Sequence, residues 1–275
     1  MKMVSYNKNI LLTPIGQITV ICCLGLFFLS SCAGTKDQME GLAKFTKAKT
    51  LWEQFQSSEQ NYLVQTKAIS VQGSFQYSSR QQRHRLKLNL WGDLAGPFRI
   101  NLQTGFGQIF SLWRVDSNST SAFYPNEQKV FVSNDPQKTM LISLGIHFPL
   151  SFLDLPYILT SGLSKIVPED YQQKQKIPQK GWLYKFEKDQ SIQSIVIGFK
   201  GQVLQIGGTT PFFWHINFDD FTVIKDHLLG QKIVLENEFK ERLILHLDKL
   251  ELRDKLWPPQ ALQLNLPENI EHIYL

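Results

Sequence analysis

Cysteine is almost absent from this chain. Its three cysteines, Cys22, Cys23 and Cys32, all lie within the first 32 of the 275 residues. The rest of the chain therefore has no disulfide framework and no cysteine-based metal site. Its fold must be held by a hydrophobic core alone.

Sequence motifs of catalysis and metal binding are also missing. The chain has no G-x-S-x-G nucleophile elbow, no H-E-x-x-H pair and no phosphate-binding P-loop. Its six histidines are scattered, and none stands at helical or strand spacing from a second histidine or cysteine ligand. We therefore expect a protein that is not an enzyme and that carries neither a metal ion nor a cofactor.

Long apolar runs and dense blocks of charge are lacking as well. The apolar stretch at residues 18–29 is shorter than the roughly 20 residues that a membrane-spanning helix needs. The formal net charge of +5 is mild. No basic block is dense enough to indicate a nucleic-acid partner.

The N-terminal segment has the pattern of an export signal. Lys2 and Lys8 precede the apolar stretch, and no acidic residue occurs before Asp37. The stretch ends in Leu-Ser-Ser-Cys at residues 29–32, which resembles the lipobox of bacterial lipoproteins. We expect cleavage before Cys32 and attachment of a diacylglycerol to its thiol. The alternative is a plain secretory signal with an incidental cysteine.

This interpretation divides the chain into a signal peptide at residues 1–31, a tether with an N-terminal helix at 32–66, and a main domain at 67–275. Ala33 follows the lipidated cysteine, and in enteric-type sorting the absence of Asp at this position favours the periplasmic face of the outer membrane. Apolar residues at helical spacing predict a helix over residues 39–62. That helix either packs on the main domain or lies on the membrane as an amphipathic helix.

Strand patterns dominate the main domain. Apolar and polar residues alternate in three successive segments, so that each presents one apolar face. Asp135 and Pro136 are typical of a helix start, and two short helical stretches follow as far as residue 163. The order of elements predicts a mainly β (α+β) domain in which one curved antiparallel sheet of about eleven strands surrounds the helices.

Three segments behind the lipobox resemble the family of the outer-membrane lipoprotein receptor LolB. They are the strand SVQGSFQY at residues 70–77, the segment RINLQTGFG at 99–107, and the helical region at 144–162 that begins LGIHFPL. The resemblance implies a half-barrel, that is, an unclosed antiparallel β-barrel of about eleven strands with a helical lid at about residues 135–163. Its apolar cavity would take the acyl chains of lipoproteins. The resemblance also implies a monomeric receptor that accepts this cargo from a periplasmic LolA-like carrier and releases it into the outer membrane.

Candidate site residues follow from the strand alternation and from the resemblance. We expect a pocket of ligand size, some hundreds of Å³. The expected acyl-chain cavity is lined by Val71, Phe75, Leu86, Leu88, Leu90, Ile100 and Leu102. The expected lid residues are Leu141, Leu144, Phe152 and Leu155. The expected membrane-insertion loop is Gly105, Phe106 and Gly107, although Phe106 could instead fold back into the core.

Three functions remain open at this stage. The first is a lipoprotein-transfer receptor. The second is a LolB-like lipoprotein that binds another hydrophobic ligand or senses the state of the envelope. The third is an envelope-assembly scaffold that uses the sheet to bind proteins. The basic residues of the first hairpin are either a solvated edge or a docking patch for an acidic carrier; they are Arg80, Arg83, Arg85 and Lys87.

Replacement of the lipobox cysteine tests the anchoring. Cys32→Ala removes the thiol that would receive the lipid, so we expect the variant to accumulate as an uncleaved precursor without acyl chains. Mass spectrometry of the intact membrane-extracted protein measures both. Normal processing of Cys32→Ala with no loss of lipid mass would refute the assignment.

Overall fold

One sheet contains every strand that the structure describes. The structure, a computed structural model, describes residues 47–134, 149–225 and 227–275, except for the side chains of residues 58–63. Its strands are β1 Ala68–Ser78, β2 Arg83–Asp93, β3 Phe98–Gln103, β4 Ile109–Val115, β5 Thr120–Tyr124, β6 Lys129–Ser133, β7 Gln173–Ile177, β8 Gly181–Lys185, β9 Ser194–Gly198, β10 Val203–Gly208, β11 Trp214–Ile224, β12 His227–Asn237, β13 Arg242–Arg253 and β14 Glu271–Tyr274.

The helices are few and mostly short. They are α1 Ala48–Gln65, the 3-10 turn η1 Phe152–Asp154, α2 Leu155–Leu159, and the 3-10 turns η2 Leu163–Lys165 and η3 Pro259–Leu262. None of the helices within the described ranges combines the length and the apolar character needed to cross a bilayer.

The sheet is unclosed. Its order among the described residues is β14-β6-β5-β4-β3-β2-β1-β13-β12-β11-β10-β9-β8-β7, with fourteen strands. All neighbouring pairs are antiparallel except β14 with β6, which is parallel. The β1–β13 pair is antiparallel and joins strands that are far apart in the sequence. The edge strands β7 and β14 do not pair with each other, so the barrel stays open along one side.

The described residues form fourteen strands, so the expected number of about eleven was too low. Strands β7 and β14 had not been predicted because their side chains are mostly exposed on both faces, which removes the alternation that marks a half-buried strand. The sequence pattern also predicts a strand at residues 261–266. This segment instead contains the end of the turn η3 and an irregular stretch. Two prolines start η3 and cannot donate to a strand ladder.

Strand β1 lies in the middle of the sheet and joins its two halves. It pairs along its whole length with β2 on one side and with β13 on the other. Residues Ala43–Leu275 form one compact unit that contains all the described core residues. A unit with its own core can fold without the residues that precede it.

Helix α1 covers part of the inner face of the sheet, which we define as the face that carries the apolar core. Its residues Leu51, Trp52 and Phe55 are buried. The ring of Trp52 lies 4.9 Å from that of Tyr184 on β8, and the Tyr184 hydroxyl donates to the Ala48 carbonyl at 2.7 Å. This burial raises the pKa of Tyr184. The described part of the helix is thus packed on the domain and does not present this face to a membrane.

Substitution of Gly73, on β1, tests how closely β13 approaches β1. A Cβ at this position would lie 2.1 Å from the carbonyl oxygen of His246 on β13, where the register shifts by one residue. We expect Gly73→Ala to lower the free energy of unfolding by about 1–3 kcal/mol, because the β1–β13 pair must open to admit the methyl group. Urea unfolding measures this.

Gly105 provides the matched control for that substitution. A Cβ there would meet nothing within 4 Å, so Gly105→Ala should change the unfolding free energy by less than about 0.5 kcal/mol. An equal loss in both variants would contradict the close approach of β13 to Gly73.

Candidate ligand cavity between the sheet and the lid

The inner face leaves a small apolar cavity beside helix α2. Alternation along β1 to β4 and β13 points one apolar row from each strand to this side. The cavity has a volume of about 60 Å³. Its walls are formed by Phe75, Leu88, Ile100, Leu102, Trp113, Phe152, Leu155, Leu243 and Leu245.

Phe152 of η1 and Leu155 of α2 form the lid over this cavity. Ser151 starts the lid with a capping box: its hydroxyl accepts from the Leu153 N–H at 3.2 Å, and its own N–H donates to Asp154 Oδ2 at 3.0 Å. Burial raises the pKa of the Asp154 carboxyl, and the hydrogen bond from Ser151 opposes this rise. These local bonds fix the start of the lid.

Trp113 is the largest side chain that lines the cavity. It is 1% exposed, and its ring centroid lies 5.2 Å from that of Phe152. The indole N–H donates to the buried Ser111 hydroxyl at 2.8 Å, so this polar group is satisfied within the protein. A ligand in the cavity would therefore meet an apolar surface, which suits a hydrocarbon chain and offers no hydrogen bonds to a polar molecule.

The structure places the predicted cavity residues unequally. Phe75, Leu88, Ile100 and Leu102 line the cavity, whereas Val71, Leu86 and Leu90 are buried in the surrounding core. Of the predicted lid residues, Phe152 and Leu155 line it. The other two, Leu141 and Leu144, lie outside the described residues, as does Cys32.

Three lining residues were not predicted, and the expected volume was wrong. All three have the alternation of inward-facing residues. The place of Leu243 and Leu245 beside Phe75 depends on the pairing of β13 with β1. Trp113 lies opposite Ile100 in the pairing of β3 with β4. The expected volume was some hundreds of Å³, whereas the cavity measures about 60 Å³. Phe152 and Leu155 themselves fill much of the space between the lid and the sheet.

Phe106 lies at the tip of the β3–β4 hairpin and is fully exposed. The turn is closed by two hydrogen bonds, from Thr104 N–H to Gln108 O at 2.8 Å and from Gly107 N–H to Thr104 O at 2.9 Å. Gly107 has a φ of 85°, a conformation that favours glycine. Of the two positions open from sequence, the structure places Phe106 outside the core.

Metal-binding clusters are not found in the part of the chain that the structure describes: no three His, Cys, Asp or Glu side chains there are placed to hold an ion. His215, for example, contacts Glu236 at 3.1 Å.

Comparisons with known proteins give a likeness of fold. No protein-family profile matches the chain, and no curated protein matches it in sequence. Solved structures do match. A LolA superfamily protein from Nitrosomonas europaea superposes with a TM-score of 0.50 at 7% identity, over 80% of this chain and 99% of that one.

Two further structures agree with the first. A domain described as an outer membrane lipoprotein-sorting protein, from Vibrio parahaemolyticus, gives a TM-score of 0.50 at 10% identity, over 78% of this chain and 99% of that one. A DUF1329 family protein from Desulfovibrio piger gives 0.52 at 9% identity, over 78% and 98%. The described domain therefore has the fold of LolA superfamily proteins, an unclosed mainly β sheet with few short helices.

Proposed function

We propose that this protein is a lipid-anchored, non-catalytic receptor of the outer membrane that receives lipoproteins by their acyl chains and inserts them into that membrane. The cavity carries the proposal, because its lining is apolar throughout and its cover is a short lid. The cargo would come from a LolA-like periplasmic carrier. The sorting role named for the Vibrio parahaemolyticus domain supports this reading.

Acyl chains need such a cover between membranes. Each methylene group is worth about 0.8 kcal/mol when it leaves water, so a free chain would not stay exposed in the periplasm. The cavity of about 60 Å³ holds only a small part of a chain. We therefore interpret this structure as the closed form, and binding requires Phe152 and Leu155 to move away from the sheet.

The lid is suited to such a movement. Its helix α2 has five residues, far fewer than the ~12–15 that an isolated helix needs in water. Its stability therefore depends on packing against the domain, where Pro156, Ile158 and Leu159 are buried. Phe152 and Leu155 add the contacts that line the cavity. An acyl chain that entered the cavity would replace those contacts with its own.

Phe106 supplies the link to the membrane in this proposal. Its exposed ring can enter the bilayer surface, which is worth about 1.5–3 kcal/mol for a buried aromatic side chain. That energy is too small to anchor the protein but can orient a domain that a lipid already tethers. Cargo release would then be coupled to membrane contact.

The small cavity favours a second candidate. If the lid does not open, the inner face is filled by its own side chains, and the protein is an envelope-assembly scaffold that binds proteins on its sheet. A LolB-like protein that binds another hydrophobic ligand shares the first mechanism and differs only in its cargo. Binding of an acyl chain separates the scaffold from both of the other functions.

Filling the cavity should block the binding of an acyl chain. Leu88 faces the cavity, and its neighbour Asn89 is directed to the opposite face of β2. We expect residues 33–275 with Leu88→Trp to bind a fluorescent fatty acid at least tenfold more weakly than the unchanged domain, measured by titration. Asn89→Trp adds the same ring outside and should bind normally.

Thermal unfolding of each variant shows whether the fold is intact. If Leu88→Trp does not fold, Ile100→Phe is used in its place, because it adds less side-chain volume to the cavity than Leu88→Trp does. Absence of saturable binding by the unchanged domain, or equal binding by all variants, would contradict the acyl-chain cavity and favour the scaffold.

A charge at Phe106 should block transfer without affecting the fold. Phe106→Glu places a carboxylate on a fully exposed tip, so we expect an unchanged melting temperature and unchanged acyl-chain binding. Transfer of a fluorescent lipoprotein to liposomes should fall at least tenfold. Phe106→Leu keeps an apolar tip and is the control that should transfer cargo. Transfer by Phe106→Glu at the normal rate would disprove this role.

A further inference from the structure

Several hairpin turns share one end of the sheet with the Phe106 turn. The register of the strands places the turns at residues 79–82, 104–108, 209–213 and 238–241 at the same end. We call this end the rim. In the strand order, the 79–82 turn lies between the 104–108 turn and the 238–241 turn. Whatever approaches Phe106 therefore also approaches the neighbouring turns.

A second aromatic group lies on the rim. Phe213 is 52% exposed and Phe239 is 45% exposed. The two turns that carry them are joined by a hydrogen bond from the Glu238 N–H to the Phe213 carbonyl at 3.0 Å. The ring of Phe239 also lies 5.2 Å from that of Phe212. The rim thus carries apolar rings on both sides of the 79–82 turn.

A buried polar network fixes the turn that carries Phe239. Glu241 is buried, and its carboxylate accepts from the Tyr77 hydroxyl at 3.1 Å and from Asn237 Nδ2 at 2.8 Å. Asn237 Oδ1 accepts from the Phe239 and Glu241 N–H groups at 3.0 and 3.2 Å. The half-exposed position of Phe239 is therefore set by bonds made inside the protein.

Basic residues lie between the two aromatic groups. Arg80, Arg83 and Arg85 are all exposed on the β1–β2 hairpin. No acidic residue occurs between Glu59 and Asp93 in the sequence, so the hairpin itself carries no acidic side chain. Asp248 on the adjacent strand β13 lines the same groove as Arg85. In the 238–241 turn, Glu238 and Lys240 offset each other. The positive charge of the rim is therefore concentrated at its middle.

We propose that the rim is a docking surface for a bilayer of anionic phospholipids, with Phe106 and the Phe213–Phe239 pair entering the lipid on either side of the arginines. The proposal rests on the membrane contact of Phe106 proposed above and adds the lipid class and two further contacts. Exposed rings flanking cations favour a lipid surface over an acidic protein, since a bilayer offers apolar depth and negative charge together.

Vesicle flotation of residues 33–275 tests this surface. The probes are vesicles of phosphatidylcholine alone and of phosphatidylcholine mixed in equal parts with phosphatidylglycerol. We expect binding to the anionic vesicles that weakens as salt is raised. Changing all three arginines to glutamine should weaken it on the order of a hundredfold. The double variant Phe213→Ser with Phe239→Ser should weaken it at least tenfold.

A matched control removes the same charge elsewhere. Lys67, Lys249 and Lys255 are exposed and lie away from the rim, so their triple change to glutamine should leave anionic binding within about threefold. A loss equal to that of the arginine variant would overturn the proposal. Thermal unfolding of each variant confirms that the domain is folded.

Two outcomes separate this proposal from its alternatives. Phe106→Glu could be the one variant that loses vesicle binding while the other variants bind normally. That result would contradict a docking surface that extends beyond Phe106, but it would be consistent with the proposed receptor function. The arginine variant could instead bind vesicles normally and fail to accept cargo from an acidic carrier. That result would assign the hairpin to a protein partner and overturn the proposal. Reduced vesicle binding by both rim variants supports it.

Discussion

The pairing of β1 with β13 is the interaction on which the rest of the structure depends. This pair joins the half that contains β2 to β6 and β14 to the half that contains β7 to β12, although β1 and β13 are far apart in the sequence. Phe75 on β1 has Leu86 beside it on one neighbour and Leu245 on the other. The cavity is therefore formed from both halves and exists only when this pair is made.

The inner face of the sheet is divided between two kinds of cover. Helix α1 fills one part with close aromatic contacts, such as that of Trp52 with Tyr184. The lid covers the other part, and within the described residues Phe152 and Leu155 are the lid side chains that line the cavity. Exposing both would cost about 3–6 kcal/mol, which about four to eight buried methylene groups would offset. In the proposed function, a long acyl chain therefore opens the lid, whereas a short apolar molecule does not.

Much of the fold could be predicted from sequence because most strands bury one face. The alternation around Phe75, Leu88 and Ile100 identified the rows that line the cavity, and the glycines beside Phe106 indicated a turn. Strands β7 and β14 could not be found, since edge strands with exposed side chains have no apolar alternation. Leu243 and Leu245 could not be assigned to the cavity, because strand pairing over a long sequence separation leaves no local signal. The small volume of the cavity, about 60 Å³, was missed because residue patterns give the lining of a cavity but not its volume.

Methyl NMR with a spin-labelled fatty acid tests whether an acyl chain binds in the cavity under the lid. The sample is residues 33–275 with labelled Leu and Ile methyl groups, and the ligand carries a nitroxide at the end of its chain. We expect the strongest broadening of the methyl signals of Leu88, Ile100 and Leu245, which line the cavity. The signal of Ile195 should broaden least, because this residue lies on β9 in the part of the sheet that α1 covers. Broadening that is uniform over the surface, or none at all, would contradict an acyl-chain site under the lid.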